Sequence, residues 1–217
     1  MTATLPELPP GAFDKEDDGD DRAFYAPPRL VTHIDEAAVA ALTAFYAEHV
    51  PQGGNVLDLM SSWVSHLPAA FGGEAIGHGM NAEELAANPQ LTRWFIQDLN
   101  RDTGLPFADA SLDAALCCVG VQYLQDPVTV FAQVARVLRP GAPFIVSFSN
   151  RCFPTKAVAI WRALDSSGHA ALVRLYMERA GLSEIEAHVL ADGRGSDPLV
   201  AVVGRKRIGS DADRMHG

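Results

Sequence analysis

The sequence predicts an α/β protein with a doubly wound, mostly parallel sheet of seven strands, of which the last is antiparallel. Short apolar runs alternate with helical segments along the chain, which is typical of such sheets. The run LCCVGV (residues 116–121) is almost continuously apolar, as expected for a strand that is buried on both faces. The last two apolar runs flank ADGRGSD (191–197), which suits an antiparallel hairpin.

Composition favours a single domain. The chain has 217 residues, 48% of them hydrophobic, enough for one compact core. The segment DKEDDGDDR (14–22) carries six acids and two bases, a density typical of solvated, poorly ordered chain. We therefore expect a flexible acidic leader (1–22), one domain (23–207) whose first part (23–50) forms an N-terminal lid and helix, and a tail (208–217).

Charge and hydropathy argue against several classes of partner. The formal net charge is −10, and the basic residues are scattered apart from GRKR (204–207), so nucleic acid is not an expected partner. Uncharged apolar stretches such as residues 38–47 and 116–125 are far shorter than the about 20 residues of a membrane span. No basic-then-apolar signal sequence is visible, and we expect a cytoplasmic protein without a membrane partner.

The cysteines do not suggest a metal or a disulfide framework. There are three, and two of them, Cys117 and Cys118, are adjacent. The histidines show no metal-ligand spacing, so no metal site is expected.

The helices are predicted from capping residues and apolar spacing. Asp35 can cap the first, and Asn81 with Glu84 three residues later forms a capping-box pattern at the second. The clearest helix starts at Asp126-Pro127 and ends at the Pro-Gly turn. The predicted helices cover residues 35–50, 81–89, 126–141 and 169–181.

The strands are predicted from short apolar runs bounded by turn residues. They alternate with the helices, which gives right-handed crossovers and a parallel sheet. The predicted strands cover residues 55–60, 74–80, 93–99, 111–121, 142–149, 183–190 and 198–206.

One segment resembles a known family. LPFADASLDAALCCVGVQYLQDPVTVFAQVARVLRPGAPFIVSFSN (105–150) resembles the class I S-adenosylmethionine-dependent methyltransferases, in particular their type 11-like domain, and VARVLRPGAPFIVS is its most specific part. Ala142 departs from the family, which usually has a second glycine there. The order and spacing fit from about Asn55 to Gly204. The resemblance implies a Rossmann-like fold, S-adenosyl-L-methionine as cofactor, and methyl transfer to a small-molecule acceptor, for which a thiol is one candidate.

The loop after strand one departs most from the family. Asp58 keeps the usual acidic position, but the family's glycines align with Met60, Ser62 and Val64 in VLDLMSSWVSHLP (56–68). Because glycine tolerates positive φ and leaves room for a ligand, this loop must follow a different path.

Within that loop, the resemblance implies new contacts to the cofactor. Ser61 and Ser62 could bind its amino-acid end, Trp63 could lie against it, and His66 could approach its carboxylate, while Asp58 belongs to the same site. The alternative is that Trp63 is a core residue and His66 lies on a helix face.

The loops after strands two and three carry the nucleoside contacts of the family. Gly79 aligns with the usual ribose-binding acid, which leaves Asn81 as a weaker ribose partner or simply a helix cap. Met80 could pack on the adenine or in the core. Asp98 and Leu99 match the adenine-binding positions, although an Asp at a strand end is often a turn residue.

After strand four, Val119 and Gly120 are expected to pass the methionine end of the cofactor. Gln122 and Tyr123 occupy positions that often face the acceptor in the family. Tyr123 as a plain core residue is the alternative.

Two segments outside the sheet could complete the catalytic site. In the lid, Tyr25 and His33 are candidates, with Asp35 orienting His33 or only capping the helix. After strand five, Arg151 could hold an anionic acceptor or lie in a solvated turn. Cys152 beside it is more typical of a packed residue than a reactive one.

Two other functions are compatible with the missing glycines and ribose acid. The chain could be a catalytically silent binding or scaffold protein with the methyltransferase fold, or its cavity could serve another small ligand or reaction. Fold alone does not decide between these. The sequence leaves the oligomeric state open.

Overall fold

The computed structural model describes residues 5–209. Its seven strands form one sheet with the order β3-β2-β1-β4-β5-β7-β6. The strands are β1 (Asn55–Leu59), β2 (Glu74–Gly79), β3 (Arg93–Ile96), β4 (Ala114–Cys118), β5 (Pro143–Phe148), β6 (Leu182–Ala191) and β7 (Leu199–Lys206). β1 to β5 are parallel, whereas β7 pairs antiparallel with both β5 and β6. The predicted fold class is therefore confirmed.

The four predicted helices are present and carry the predicted caps. They are α2 (Glu36–His49), α3 (Ala82–Ala87), α4 (Pro127–Val137) and α6 (Ser166–Arg179), and two short helices, α1 (Asp21–Tyr25) and α5 (Ala159–Ala163), are added. The side chains of Asp35, Asn81 and Asp126 accept backbone N–H groups at the starts of α2, α3 and α4. Each cap satisfies donors that the first helical turn leaves unpaired.

Helices cover both faces of the sheet, which explains the continuous apolar runs. On β5, Phe144, Val146 and Phe148 pack in the core that contains α4 and α6, whereas Ile145 packs in the core that contains α2. All six residues of β5 are buried. Alternate side chains thus enter opposite layers, and the strand has no polar face.

β4 ends earlier than the sequence predicts. The expected strand runs to Val121, but β4 stops at Cys118 because Val119 has a φ of 50°. A positive φ departs from regular strand geometry and is unfavourable for a β-branched residue. A short 3₁₀ turn, Val121–Tyr123, follows.

The predicted acidic leader is packed over residues 5–22, which corrects that expectation. The acidic segment pairs with the ammonium group of the buried Lys156, whose Nζ lies 3.1 Å from carboxylate oxygens of Asp17 and Asp21. The same Nζ donates to the backbone carbonyls of Asp17 and Gly19. Leu5 is buried in the core with α4 and α6. We call residues 5–22 the strap. The acidic run is ordered because lysine charge elsewhere in the chain compensates it.

Two negative findings apply to residues 5–209. No helix in this range combines the length and apolarity needed to cross a membrane. The same residues contain no cluster of three or more histidine, cysteine, aspartate or glutamate side chains arranged to hold a metal ion. Most of the predicted tail, residues 210–217, lies outside the described part of the chain.

Candidate active site

A cavity of about 120 Å³ lies at the carboxyl ends of β1 to β4. This is the end of a parallel sheet at which ligands bind in doubly wound folds. Thirteen residues predicted from the sequence line it: Tyr25, His33, Asp58, Ser61, Ser62, His66, Met80, Asn81, Asp98, Leu99, Val119, Gly120 and Tyr123. The four loops chosen from the sequence therefore converge on one site.

The glycine-free loop after β1 is built around the carboxylate of Asp58. The hydroxyls of Ser61 and Ser65 both donate to Asp58 Oδ2, at 2.6 and 2.5 Å. Burial raises the pKa of Asp58, and the two hydroxyl hydrogen bonds oppose that rise. The loop thus folds back on its own strand instead of wrapping closely around a ligand as a glycine turn does.

His78 on β2 holds the same loop from the other side, a contact that sequence reasoning missed. Its Nδ1 accepts the N–H of Met60 at 3.1 Å, and its carbonyl accepts the N–H of Ser61 at 2.7 Å. Since Nδ1 accepts, the ring proton is on Nε2, which donates to the carbonyl of Gln97 at 3.0 Å. Burial lowers the pKa of His78 to about 4, so the ring stays neutral.

The end of β2 has no acidic residue, and a glutamate one helical turn later lines the cavity instead. Gly79 and Met80 are at the strand end. Glu84 on α3 accepts the backbone N–H of Arg29 on Oε1 at 2.7 Å and the hydroxyl of Ser62 on Oε2 at 2.6 Å. The capping-box pattern gave Glu84 a purely local role, which is why its place in the site was not predicted.

Asn81 uses its side-chain amide for structure. Oδ1 accepts the N–H groups of Glu83 and Glu84, and Nδ2 donates to the carbonyls of Tyr25 and Ala26, at 2.9 Å each. The side chain therefore caps α3 and fastens the segment before α2 (residues 23–34), which we call the lid. The helix-cap alternative describes Asn81 better than the ribose-partner one.

Asp98 and Leu99 are buried at the end of β3 and line the cavity. Asp98 Oδ1 accepts the N–H of Asn100 at 3.0 Å, and Oδ2 lies 3.4 Å from Nε of Arg101. The carboxylate is thereby fixed in orientation, with lone pairs left to accept from a ligand.

Two histidines, His33 and His66, line the cavity. Nδ1 of His66 is buried and has no hydrogen-bond partner among the described residues. Burial, with a smaller effect of nearby His33, lowers the pKa of His66 to about 4. Burial also lowers the pKa of His33. An unpartnered buried nitrogen at a cavity wall is costly unless a ligand group binds there.

Trp63 and Gln122 do not line the cavity, which corrects two predictions. Trp63 Nε1 donates to the carbonyl of Val31 at 2.9 Å, so the indole holds the lid from outside. Gln122 is buried beneath the 3₁₀ turn, and its Nε2 donates to the carbonyl of Val119 at 3.0 Å. The positive φ of Val119 turns the chain, so that Gln122 points inward.

A second cavity of about 420 Å³ adjoins the first. His33, Ile34, Val119, Tyr123 and Phe153 line both. The remaining lining residues of the second cavity are Thr32, Asp35, Asn150, Arg151, Cys152 and Asp197. The two cavities are therefore neighbours that share one wall.

Arg151 lines only the second cavity, and its charge is already paired. Its Nε and Nη2 each lie 3.0 Å from Oδ1 of Asp197. The structure thus places Arg151 beside a carboxylate, whereas the sequence suggested that it could hold an anionic acceptor.

Comparisons with known proteins agree with this geometry. Residues 62–146 match a family model described as a methyltransferase domain. The seven-stranded sheet with its antiparallel β7 continues on both sides of that segment. The matched segment and the sheet order thus resemble those of the class I S-adenosylmethionine-dependent methyltransferases.

A curated relative of this chain is the malonyl-[acyl-carrier protein] O-methyltransferase of Hahella chejuensis, 27% identical over 77% of this chain. The match spans 62% of that relative's length. A solved S-adenosylmethionine-dependent methyltransferase from Mesorhizobium loti has a TM-score of 0.54 at 17% identity, covering 78% of this chain and 97% of that one. The cyclase SpnF has a TM-score of 0.59 at 15% identity, covering 87% and 92%. These two structures share the fold.

The residues that line the first cavity suit S-adenosylmethionine, the cofactor that the resemblance implies. The unpartnered Nδ1 of His66 offers a polar partner for a ligand, and Asp98 offers a fixed acceptor beside the apolar Leu99 and Met80. Hydroxyl, imidazole, carboxylate and apolar groups thus surround one space, which suits a molecule with both amino-acid and nucleoside ends.

Proposed function

We propose that this methyltransferase binds S-adenosylmethionine in the first cavity and transfers its methyl group to a small-molecule nucleophile in the second. The observation that carries this proposal is the shared wall: the same five residues line both cavities. Because the cavities adjoin at these residues, a donor and an acceptor bound in them would lie next to each other.

S-adenosylmethionine supplies a methyl group on a positively charged sulfur that is already activated for displacement. The chain's own task is alignment and exclusion of water, which can be worth an effective molarity of about 10⁵ M or more. In our proposal Ser61, His66 and the backbone at Val119 hold the amino-acid end, while Asp98 and Leu99 hold the adenine.

Tyr25, Tyr123 and Phe153 provide aromatic faces for positive charge. The ring centroids of Tyr25 and Phe153 lie 6.3 Å apart, and those of Tyr123 and Phe153 lie 6.0 Å apart. Such faces attract a cation by about 0.5–2 kcal/mol each. Burial raises the pKa of Tyr123 to about 12, so its hydroxyl keeps its proton and can donate a hydrogen bond.

The lid must move for the cofactor to enter. A cavity of about 120 Å³ is smaller than the ~300–1,000 Å³ of typical ligand pockets. Tyr25 and His33 of the lid form part of its wall. We infer that the lid is closed in this conformation, in which Asn81 donates to the carbonyl of Tyr25 and Glu84 accepts the N–H of Arg29.

A small thiol is one acceptor within this class, since it needs only conversion to thiolate. The carboxylates of Asp35 and Asp197 beside the second cavity would oppose that conversion, because nearby negative charge raises a thiol's pKa. Thiols are therefore one arm of the acceptor screen.

The test is product formation from pooled small-molecule fractions. Purified protein is incubated with S-adenosylmethionine and each fraction, and S-adenosylhomocysteine and methylated product are measured by mass spectrometry. We expect both products to appear together, and Asp98→Asn to reduce them by about tenfold or more, since it removes a charged acceptor. Asp102→Asn, an exposed neighbour, is the matched control. Cofactor binding without methylated product in any fraction would contradict the proposal.

A further inference from the structure

The second cavity carries more negative than positive charge. Asp35, Asp197 and Arg151 are its charged lining residues, which gives two carboxylates and one guanidinium. Since both guanidinium contacts of Arg151 go to Asp197 Oδ1, the carboxylate of Asp35 has no cationic partner at hydrogen-bond distance among the described residues. The cavity walls therefore have a net charge of −1.

The two carboxylates are held rigidly at the cavity wall. Asp35 Oδ1 accepts the N–H of Ala38 at 2.8 Å, and Oδ2 accepts the N–H of Asp197 at 2.6 Å. Asp197 Oδ2 accepts the N–H of Asp35 in return at 3.1 Å. Backbone hydrogen bonds from Ala38 and Asp197 lower the pKa of Asp35, so that it stays ionised. A fixed charge can attract a ligand without losing side-chain entropy.

The wall shared with the first cavity is aromatic. Phe153 lies 6.0 Å from both the Tyr123 and the His33 ring centroids. Ring faces beside fixed carboxylates favour a cation over a neutral or anionic group. A carboxylate-bearing acceptor would meet two like charges and no unpaired cation.

We propose that the acceptor is an amine that enters the second cavity as its ammonium ion. This inference rests on the proposed function, because it identifies the acceptor class of the same site. The carboxylates of Asp35 and Asp197 would bind the ammonium, and Tyr123 and Phe153 would flank the adjoining carbons.

Transfer to an ammonium requires that a proton leaves first. His33 lines both cavities and holds its ring between them, where Glu84, Arg29 and His66 are its charged or titratable neighbours. The neutral imidazole takes one N–H proton, and the freed nitrogen lone pair attacks the methyl carbon. The N–C bond forms as the C–S bond breaks, and the electron pair of the C–S bond stays on sulfur as a thioether. The imidazolium then returns its proton to water.

The experiment compares four probes with one carbon skeleton and different head groups: 2-phenylethylamine, 2-phenylethanol, 2-phenylethanethiol and 3-phenylpropionate. Binding of each is measured by calorimetry to the full chain saturated with S-adenosylhomocysteine. We expect the amine to bind at least about tenfold more tightly than the alcohol and the carboxylate, as charge pairing in a partly buried site allows. Equal binding of the amine and the alcohol, or tighter binding of the carboxylate or thiol, would overturn the inference.

Variants test the origin of that preference. Asp35→Asn together with Asp197→Asn leaves Arg151 as the charged group, while Asn can still cap α2. We expect this pair of changes to abolish the amine's advantage and to favour the carboxylate. Glu36→Gln, which removes an exposed charge next to Asp35, is the control and should keep the wild-type order. An unchanged order in the double variant would overturn the inference. If the variant did not fold, the wild-type ranking of the four probes would decide the inference by itself.

The outcome separates this inference from the proposed function. S-adenosylhomocysteine binding is measured before any probe is added, so its failure would count against the cofactor site itself. Normal S-adenosylhomocysteine binding with no amine preference would reject only the acceptor class.

Discussion

Gly120 and Met60 face each other across the ends of β4 and β1, and a Cβ atom on Gly120 would lie 2.8 Å from the Cβ of Met60. Met60 itself has a φ of 57°, a conformation that favours glycine. On β2, a Cβ on Gly79 would lie 2.6 Å from the carbonyl oxygen of Ser61. The space that glycines provide in the usual loop is here provided by Gly79 at the end of β2 and by Gly120 just after β4.

The first prediction is that Gly120→Ala destabilises the protein and weakens cofactor binding. The added methyl group must displace Met60, which typically costs about 1–3 kcal/mol in a packed site. Urea unfolding and calorimetry with S-adenosylhomocysteine measure the two effects. Gly104→Ala is the control, because its Cβ would meet only the side chain of Asp102.

A second change should rescue the first. Met60→Gly removes the opposing Cβ and suits the positive φ, so Gly120→Ala combined with Met60→Gly should recover much of the lost unfolding free energy. Additive losses in the double variant would show that these two positions do not compete for the same space.

The second prediction is that the free energy of unfolding decreases in mild acid because of His78. His78 titrates near its ordinary value of about 6.5 when unfolded, and burial lowers the pKa to about 4 in the fold. Between those values the unfolded chain binds a proton that the folded chain does not, so stability falls as pH falls, by about 1.4 kcal/mol per pH unit. The loss begins below about pH 6.5 and continues to about pH 4.

Urea unfolding at several pH values in this window checks that slope. His66 shifts in the same direction, so His78→Gln should reduce the pH dependence without abolishing it. Identical slopes for wild type and variant would contradict the assigned neutral, Nε2-protonated His78.

The third prediction is that Lys156→Met loosens the strap and lid. Burial alone would lower the pKa of Lys156, but the hydrogen bonds that it donates to Asp21 and Asp17 raise it overall, so the ammonium is charged and compensates both carboxylates. Removing one partner of a buried pair leaves charge unpaired, which costs about 3–5 kcal/mol when burial is complete and less here, because Asp17 is partly exposed.

Hydrogen exchange resolved by segment measures the effect. We expect faster exchange in residues 12–34 with unchanged protection of β4 and β5. Lys206→Met is the control, because Lys206 is the last residue of β7 and lies outside the strap contacts. Uniform loss of protection across the sheet would mean that Lys156 stabilises the whole domain and not the strap alone.

The fourth prediction is that Glu84→Gln weakens S-adenosylhomocysteine binding by about three- to tenfold, as expected for loss of one charged acceptor. Glu84 joins the lid to the glycine-free loop through Arg29 and Ser62. The dissociation rate from stopped-flow displacement should rise accordingly. Glu83→Gln, which removes an exposed charge from the same helical turn, should bind as wild type does.

The sheet and its helices could be predicted because their signals are local. Asp126, Pro127 and the valines of α4 determine a helix within a dozen residues, and β5 is apolar throughout. The same local logic failed for the strap, because the charge of Lys156 that orders it lies far away in the sequence.

The sequence predicted which loops form the site, but it did not predict the hydrogen bonds that hold those loops in place. His78 and Glu84 each have a plain local interpretation, as a strand residue and a capping-box residue, and only the fold brings them to the loop after β1. The prediction placed Trp63 in the right loop but against the cofactor. Its side chain instead donates to the carbonyl of Val31 and does not line the cavity. Side-chain direction in a loop without glycine depends on tertiary contacts that no local pattern encodes.

The most direct test of the account is calorimetric titration of the purified chain with S-adenosylmethionine and with S-adenosylhomocysteine. If the loop built on Asp58 and His78 is a working cofactor loop, both ligands bind with micromolar dissociation constants. Absence of binding at millimolar concentration would contradict the central claim and favour a methyltransferase fold that serves only as a binding or scaffold protein.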